Sequence, residues 1–205
     1  MAKLGQLLVR RGWASPEDVK AALRVQRTTG GRLGTCLLES NAVTEDLLLK
    51  ALSEQHRVPA AGVEDLRSVP EETIGSLPAK LAVRCRAVPF RAFGTQVHVA
   101  MLDPRDLNHQ DELAFALGKR VQPYAAAEVR IHQALDRYYG DDCPSRLATL
   151  AERLDRARYL WRDQESRAAA SVVRGAGGPS VWEHPEAALF GDARPAAPAH
   201  GPASP

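Results

Sequence analysis

A cation followed by Leu-Gly occurs twice near the start of this sequence, as Lys3-Leu4-Gly5 and as Arg32-Leu33-Gly34. Each is followed at the same distance by a glutamine, Gln26 and Gln55. Lysine and arginine attract phosphate, and arginine also bonds bidentate to guanine O6 and N7 or stacks its plane on a base. Free N–H groups at a helix start attract anions. Glycine in a helix costs about 1 kcal/mol relative to alanine, so its placement twice implies a close approach to the backbone. Together these groups suit a phosphate or a purine edge. Two copies in tandem would build a quasi-two-fold site, matched by a ligand carrying two guanines and two phosphates.

The elements that must hold these groups form an internal repeat, in which residues 3–26 align without gaps on 32–55. Leu4/Leu33, Gly5/Gly34, Leu8/Leu37, Ala22/Ala51, Leu23/Leu52 and Gln26/Gln55 are identical pairs. Each copy reads as a short helix, a turn and a longer helix. Ser15 and Thr44 are the N-caps of the long helices, and Pro16 takes the favoured first position. Gly12 ends the first short helix and Asn41 the second, since asparagine tolerates the left-handed conformation a helix end requires. Leu4, Leu8, Val19, Leu23 and their counterparts are spaced to face one another as core.

The expected fold class is α+β. An N-terminal helical tandem repeat spans 1–57, and a small three-stranded sheet with helices spans 58–140. In that second unit, short helices over Pro70–Ile74 and Pro78–Arg84 precede a hairpin of Arg86–Ala92 and Gln96–Met101 turning at Gly94. A helix from Leu107 to Leu117, a strand from Arg120 to Ala125 and a helix from Ala127 to Tyr139 complete it. Residues 141–167 hold an amphipathic helix with Leu147, Leu150, Leu154, Ala157 and Trp161 on one stripe. That stripe either folds back on its own domain or serves self-association or docking on another protein. Residues 168–205, with 22 of 38 positions Ala, Pro or Gly, read as a disordered tail.

Several function classes are disfavoured. The longest aliphatic run, Leu47-Leu48-Leu49, is far short of a membrane span, and no signal pattern opens the chain, which points to the cytoplasm. The sequence contains no GxxxxGK[ST], HExxH or GxSxG, so a non-enzyme without cofactor or metal is expected. Cys36, Cys85 and Cys143 are odd in number and widely spaced; Cys36 and Cys85 read as small core residues. His98, His109 and His132 read as partly exposed surface residues, and His56 directly follows Gln55. A formal charge of +2 does not require nucleic acid.

Residues 3–140 resemble the N-terminal domain of type II secretion and type IV pilus assembly ATPases, which carries two 24-residue RLGxxLxxxGxxxxxxLxxALxxQ motifs separated by five residues. Here the separation is Arg27 to Gly31. The resemblance continues through Val88-Pro89-Phe90, Val99-Ala100-Met101 with Asp103-Pro104, Gly118-Lys119-Arg120-Val121 and Tyr138-Tyr139-Gly140. It implies binding of the bacterial second messenger cyclic di-GMP. By position, Lys3 and Arg32 would contact guanine or phosphate, and Gly5 and Gly34 would admit the ligand to the backbone. Gln26 and Gln55 would hydrogen-bond it, over an apolar wall of Leu4, Leu8, Leu33 and Leu37. Asp103 would accept from a guanine N1–H and N2–H₂ edge. Lys3 stands where the family has arginine and so lacks the fork that reads guanine.

With no ATPase motif following the resemblance, the expected role is a stand-alone receptor or adaptor. A separate protein partner in a secretion, pilus or motility pathway would read its ligand-bound state, with the 146–164 stripe as a place for that contact. Two other readings stand beside it: a docking module of such a machine that has lost the ligand, and a helix-turn-helix DNA binder. Against the second, Glu17, Asp18, Glu45, Asp46 and Glu54 interrupt both long helices that would face DNA.

Overall fold

A computed structural model describes residues 3–159. The first repeat copy is α1 (Leu4–Arg10) and α2 (Pro16–Thr29); the second is α3 (Leu33–Glu39) and α4 (Glu45–His56). Both short helices end through a left-handed residue, Gly12 at φ 69° and Asn41 at φ 55°. The chain then turns back in the same way in both copies: Trp13 N–H donates to Leu8 O at 2.9 Å and Ala42 N–H to Leu37 O at 3.0 Å. These bonds satisfy carbonyls that a helix end leaves orphaned. Ser15 Oγ accepts from Asp18 N–H at 3.0 Å while the Asp18 carboxylate accepts from Ser15 N–H at 3.1 Å, and Thr44 Oγ1 accepts from Leu47 N–H at 3.4 Å. Hydroxyl caps therefore start both long helices, as the sequence indicates.

The glycines show how the copies fit together. A Cβ on Gly5 would stand 2.7 Å from Val19 Cγ1 and 3.3 Å from Leu33 Cδ2; one on Gly34 would stand 3.0 Å from Leu48 Cδ1 and 3.6 Å from Leu4 Cδ2. Val19 and Leu48 are equivalent positions, and so are Leu33 and Leu4. Each short helix thus lays its glycine against its own long helix and against the leucine of the other copy. That is a quasi-two-fold arrangement, and packing accounts for both glycines.

After α5 (Val63–Arg67), α6 (Glu71–Gly75) and α7 (Ala79–Cys85), the chain forms β1 (Ala87–Phe93) and β2 (Gln96–Met101), then α8 (Leu107–Leu117), β3 (Arg120–Ala125) and α9 (Glu128–Tyr139). The sheet order is β1-β2-β3, with β1 antiparallel and β3 parallel to β2. α8 is the crossover that a parallel pair requires. Ala125 N–H donates to Pro59 O and Ala61 N–H donates to Ala125 O, both at 2.8 Å, fastening the exit of the repeat to the end of β3.

Two apolar clusters build the core. One gathers the sheet with α5 to α8 and the Ile131 and Leu135 side of α9; the other gathers the repeat with Ala127 and Val129. α9 belongs to both. Beside Val129, the Arg130 guanidinium is 1% exposed and bonds Glu45 of α4 bidentately at 2.6 and 2.8 Å.

Among the described residues the last helix is α10, over 145–159. Its stripe finds a partner within the chain: Leu147, Leu150 and Ala151 are buried, and Leu150 and Ala151 join the repeat cluster. Of the two readings of the stripe, folding back on its own domain is the one these residues adopt, and the repeat core leaves this part of it no free face for self-association. Polar clamps surround that contact. Arg146 forks onto the Glu39 carboxylate at 2.5 Å, Arg153 donates to Leu38 O at 2.7 Å and Glu39 O at 3.0 Å, and Asp155 accepts from Arg130 at 2.7 Å. Trp161 and the proposed tail lie outside the described residues. Among the described residues, no helix is long and apolar enough to cross a membrane.

Candidate functional site

A cleft of about 330 Å³ opens between the repeat and the C-terminal ends of β2 and β3. Leu4 and Gln26 come from the first copy; Arg32 to Thr35, Leu48, Leu52, Gln55 and His56 come from the second; Leu102, Asp103 and Ala126 to Glu128 form the far wall. The repeat places equivalent residues in pairs, since Leu4 and Leu33 open the two short helices and Gln26 and Gln55 stand near the ends of the two long ones. The far wall is positioned by the sheet, with Leu102 and Asp103 just after β2 and Ala126 just after β3.

Of the residues singled out from sequence, Leu4, Gln26, Arg32, Leu33, Gly34, Gln55 and Asp103 share this cleft. Leu8 and Leu37 are fully buried in the repeat core. Gly5 is buried against Val19 and Leu33, and Lys3 is exposed at the start of α1, outside the cleft lining. The two halves are therefore unequal: only the second contributes its cation.

Arg32 is exposed, and its Nη1 donates to Leu102 O at 3.2 Å, which draws the guanidinium toward the wall that carries Asp103. The Asp103 carboxylate accepts from Arg105 N–H at 3.3 Å, an aspartate turn that fixes the loop after β2. Gln26 Nε2 donates to Gly31 O at 2.9 Å, closing the linker between the copies. Half-buried His56 has its pKa pushed below the usual imidazole value by burial; Asp103 opposes this, while Arg105 and Arg32 add to it. The His56 ring keeps an Nδ1 without a hydrogen-bond partner.

Glu128, the first residue of α9, was not singled out from sequence. Its Oε2 accepts from Arg32 N–H at 3.2 Å and from Thr35 Oγ1 at 2.5 Å. A carboxylate of the protein thus already holds the N-cap N–H of α3 and the Thr35 hydroxyl. In sequence Glu128 looks like an ordinary first-turn acid, and no local pattern pairs it with a residue so far upstream. His132 is corrected as well: it is 8% exposed, because it sits on the inward side of α9.

Known proteins share this architecture. The family model described as the MshEN domain matches residues 56–143. The chain is 35% identical over 143 residues to the type IV pilus assembly ATPase PilB of Myxococcus xanthus, a match covering 70% of this chain and 25% of that protein. Against PilB of Thermus thermophilus the identity is 34% over 142 residues, covering 67% of this chain and 15% of that protein. The matches thus span a quarter or less of these relatives' length. A solved structure described as MshE with cdg aligns with a TM-score of 0.52 and 33% identity, over 68% of this chain and all of that one. The chain belongs to the MshEN domain family.

In this MshEN domain the cleft joins one guanidinium, the carboxylates of Asp103 and Glu128, two amides, the His56 imidazole and an apolar floor of leucines. Such a set offers hydrogen-bond donors and acceptors around an apolar floor, the chemistry that suits a planar ligand with polar edges. Among the described residues, no cluster of His, Cys, Asp and Glu has the arrangement to hold a metal ion.

Proposed function

We propose that this MshEN domain is a non-catalytic receptor for cyclic di-GMP and that the cleft between the repeat and the sheet is its binding site. The observation that carries the reading is the pairing of equivalent residues, Leu4 with Leu33 and Gln26 with Gln55, in one cleft with Arg32 and Asp103. A ligand made of two identical nucleotides fits a repeat of two like helix pairs. The relative described with cdg, read as cyclic di-GMP, supports the same ligand.

In this reading Arg32 exchanges its bond to Leu102 O for guanine O6 and N7 or for a phosphate, and Asp103 accepts from a guanine N1–H and N2–H₂ edge. Gln26 and Gln55 hydrogen-bond the ligand, and Leu4, Leu33 and Gly34 lie beneath it, with Leu8 and Leu37 supporting that floor. Lys3 and Gly5 contribute less, since neither lines the cleft. The domain adds no chemistry of its own and passes its ligand-bound state to a protein of a secretion, type IV pilus or motility machine.

Isothermal titration with cyclic di-GMP tests this, with GTP and cyclic di-AMP as controls. Saturable, guanine-selective binding is expected. Arg32→Ala should weaken it by about 1–3 kcal/mol, the range for a bidentate base contact. No saturable heat from the unsubstituted chain would overturn the reading.

A further inference from the structure

We propose that Glu128 is a positioning residue for ligand binding, acting through the backbone of Arg32; this rests on the cleft being the cyclic di-GMP site. The argument comes from comparing the two copies at one position. In the first, Gln6 is the third residue of α1 and turns back so that its Oε1 accepts from Lys3 N–H at 3.4 Å. The equivalent residue in the second copy is Thr35, whose side chain is shorter by two heavy atoms and donates its hydroxyl elsewhere.

Glu128 supplies what Thr35 does not. One oxygen of its carboxylate accepts both from Arg32 N–H and from the hydroxyl of Thr35, which is 3% exposed. An ionised acceptor makes both bonds stronger than a neutral amide would, and its charge suits a helix start. The start of α3 is thereby held from α9, a helix of the other half of the domain, whereas the N–H at the start of α1 is capped from within that helix by Gln6.

The guanidinium of Arg32 meanwhile bonds Leu102 O. Arg32 is therefore fixed at its backbone by α9 before any ligand arrives, and only the guanidinium has to exchange its partner, Leu102 O, on binding. Order established in the free state need not be imposed on binding, and affinity gains accordingly. Lys3 has no such anchor and lies outside the cleft lining, so the affinity rests mainly on the Arg32 half.

The test is titration of the full chain with cyclic di-GMP, for the unsubstituted protein, Arg32→Ala, Glu128→Ala, Glu128→Gln and the double variant Glu128→Ala/Arg32→Ala. Glu128→Ala should weaken binding about 3- to 30-fold, as expected when a helix cap is lost, and Glu128→Gln by less. The decisive readout is coupling: once Arg32 is alanine, removing Glu128 should cost almost nothing further. Thr35→Val, which keeps its shape and loses one donor, carries the same comparison if Glu128→Ala does not fold. Unchanged affinity in the Glu128 or Thr35 variants, or losses that add fully to that of Arg32→Ala, would overturn the positioning role while leaving the receptor reading intact. Failure of the unsubstituted chain to bind would remove both.

Discussion

Gly5→Ala isolates the packing explanation of the repeated Leu-Gly. The new methyl would stand 2.7 Å from Val19 Cγ1 and 3.3 Å from Leu33 Cδ2. Val19 is β-branched, buried and within α2, so it is confined to essentially one rotamer and cannot swing away. α1 must instead shift from α2, at the cost of a well-packed layer. Alanine recovers up to about 1 kcal/mol of helix propensity, while overpacking a core costs about 1–3 kcal/mol. The net expectation is a loss of up to about 2 kcal/mol, or up to about 8 °C in melting temperature for a fold of this size. Gly34→Ala should be milder, because the atoms opposing it, at 3.0 and 3.2 Å, are the mobile ends of Leu48. Thermal and urea denaturation of both variants measures this, and Val19→Ala added to Gly5→Ala should recover part of the loss. A Gly5→Ala protein at least as stable as the parent would refute the reasoning and return the glycine to a role in ligand access.

Other consequences are open to direct measurement. Glu45→Ala leaves the buried Arg130 guanidinium with Asp155 as its one remaining carboxylate and should cost about 3–5 kcal/mol in urea unfolding; a loss below about 1 kcal/mol would contradict the buried pair. Burial lowers the pKa values of His56, His98 and His132, so as pH falls below about 6.5 the unfolded chain takes up protons before the folded one. Stability present above that pH should therefore decline toward pH 5, and His132→Gln should flatten the slope; a melting temperature independent of pH would count against it. Arg146→Ala removes bonds to Glu39 and to the carbonyls of Thr29 and Gly30. Hydrogen exchange across residues 30–36 should quicken, with a stability loss of about 1 kcal/mol or less for so accessible a pair. Unchanged exchange would show that α10 does not hold the linker.

Much of this architecture is legible in the residues because it is encoded locally. Gly12 and Asn41 mark helix ends through the one backbone conformation they tolerate well, and both adopt it. β2, α8 and β3 fall where alternation, proline and glycine place them. The five-residue α5 carries too little periodicity to stand out, and β1 runs one residue further than its alternation indicates because it bulges between Pro89 and Arg91. What the sequence conceals is contact at long range. The repeated glycine looks like a ligand's requirement until Val19 and Leu48 are seen against it. Glu128 looks like a helix-start acid until it is seen on Arg32 and Thr35. The stripe of α10 gives no sign of its partner, because periodicity records an apolar face and not what covers it.

The central claim, that this cleft receives cyclic di-GMP, is tested most directly by amide chemical-shift mapping of the full chain during titration with the ligand. The account predicts saturable shifts at the side-chain amides of Gln26 and Gln55 and at the backbone of residues 32–35, 102–103 and 126–128, with Lys119 and Arg120 at the far end of the sheet unmoved. An unchanged spectrum at saturating ligand, or shifts gathered away from those three segments, would contradict it.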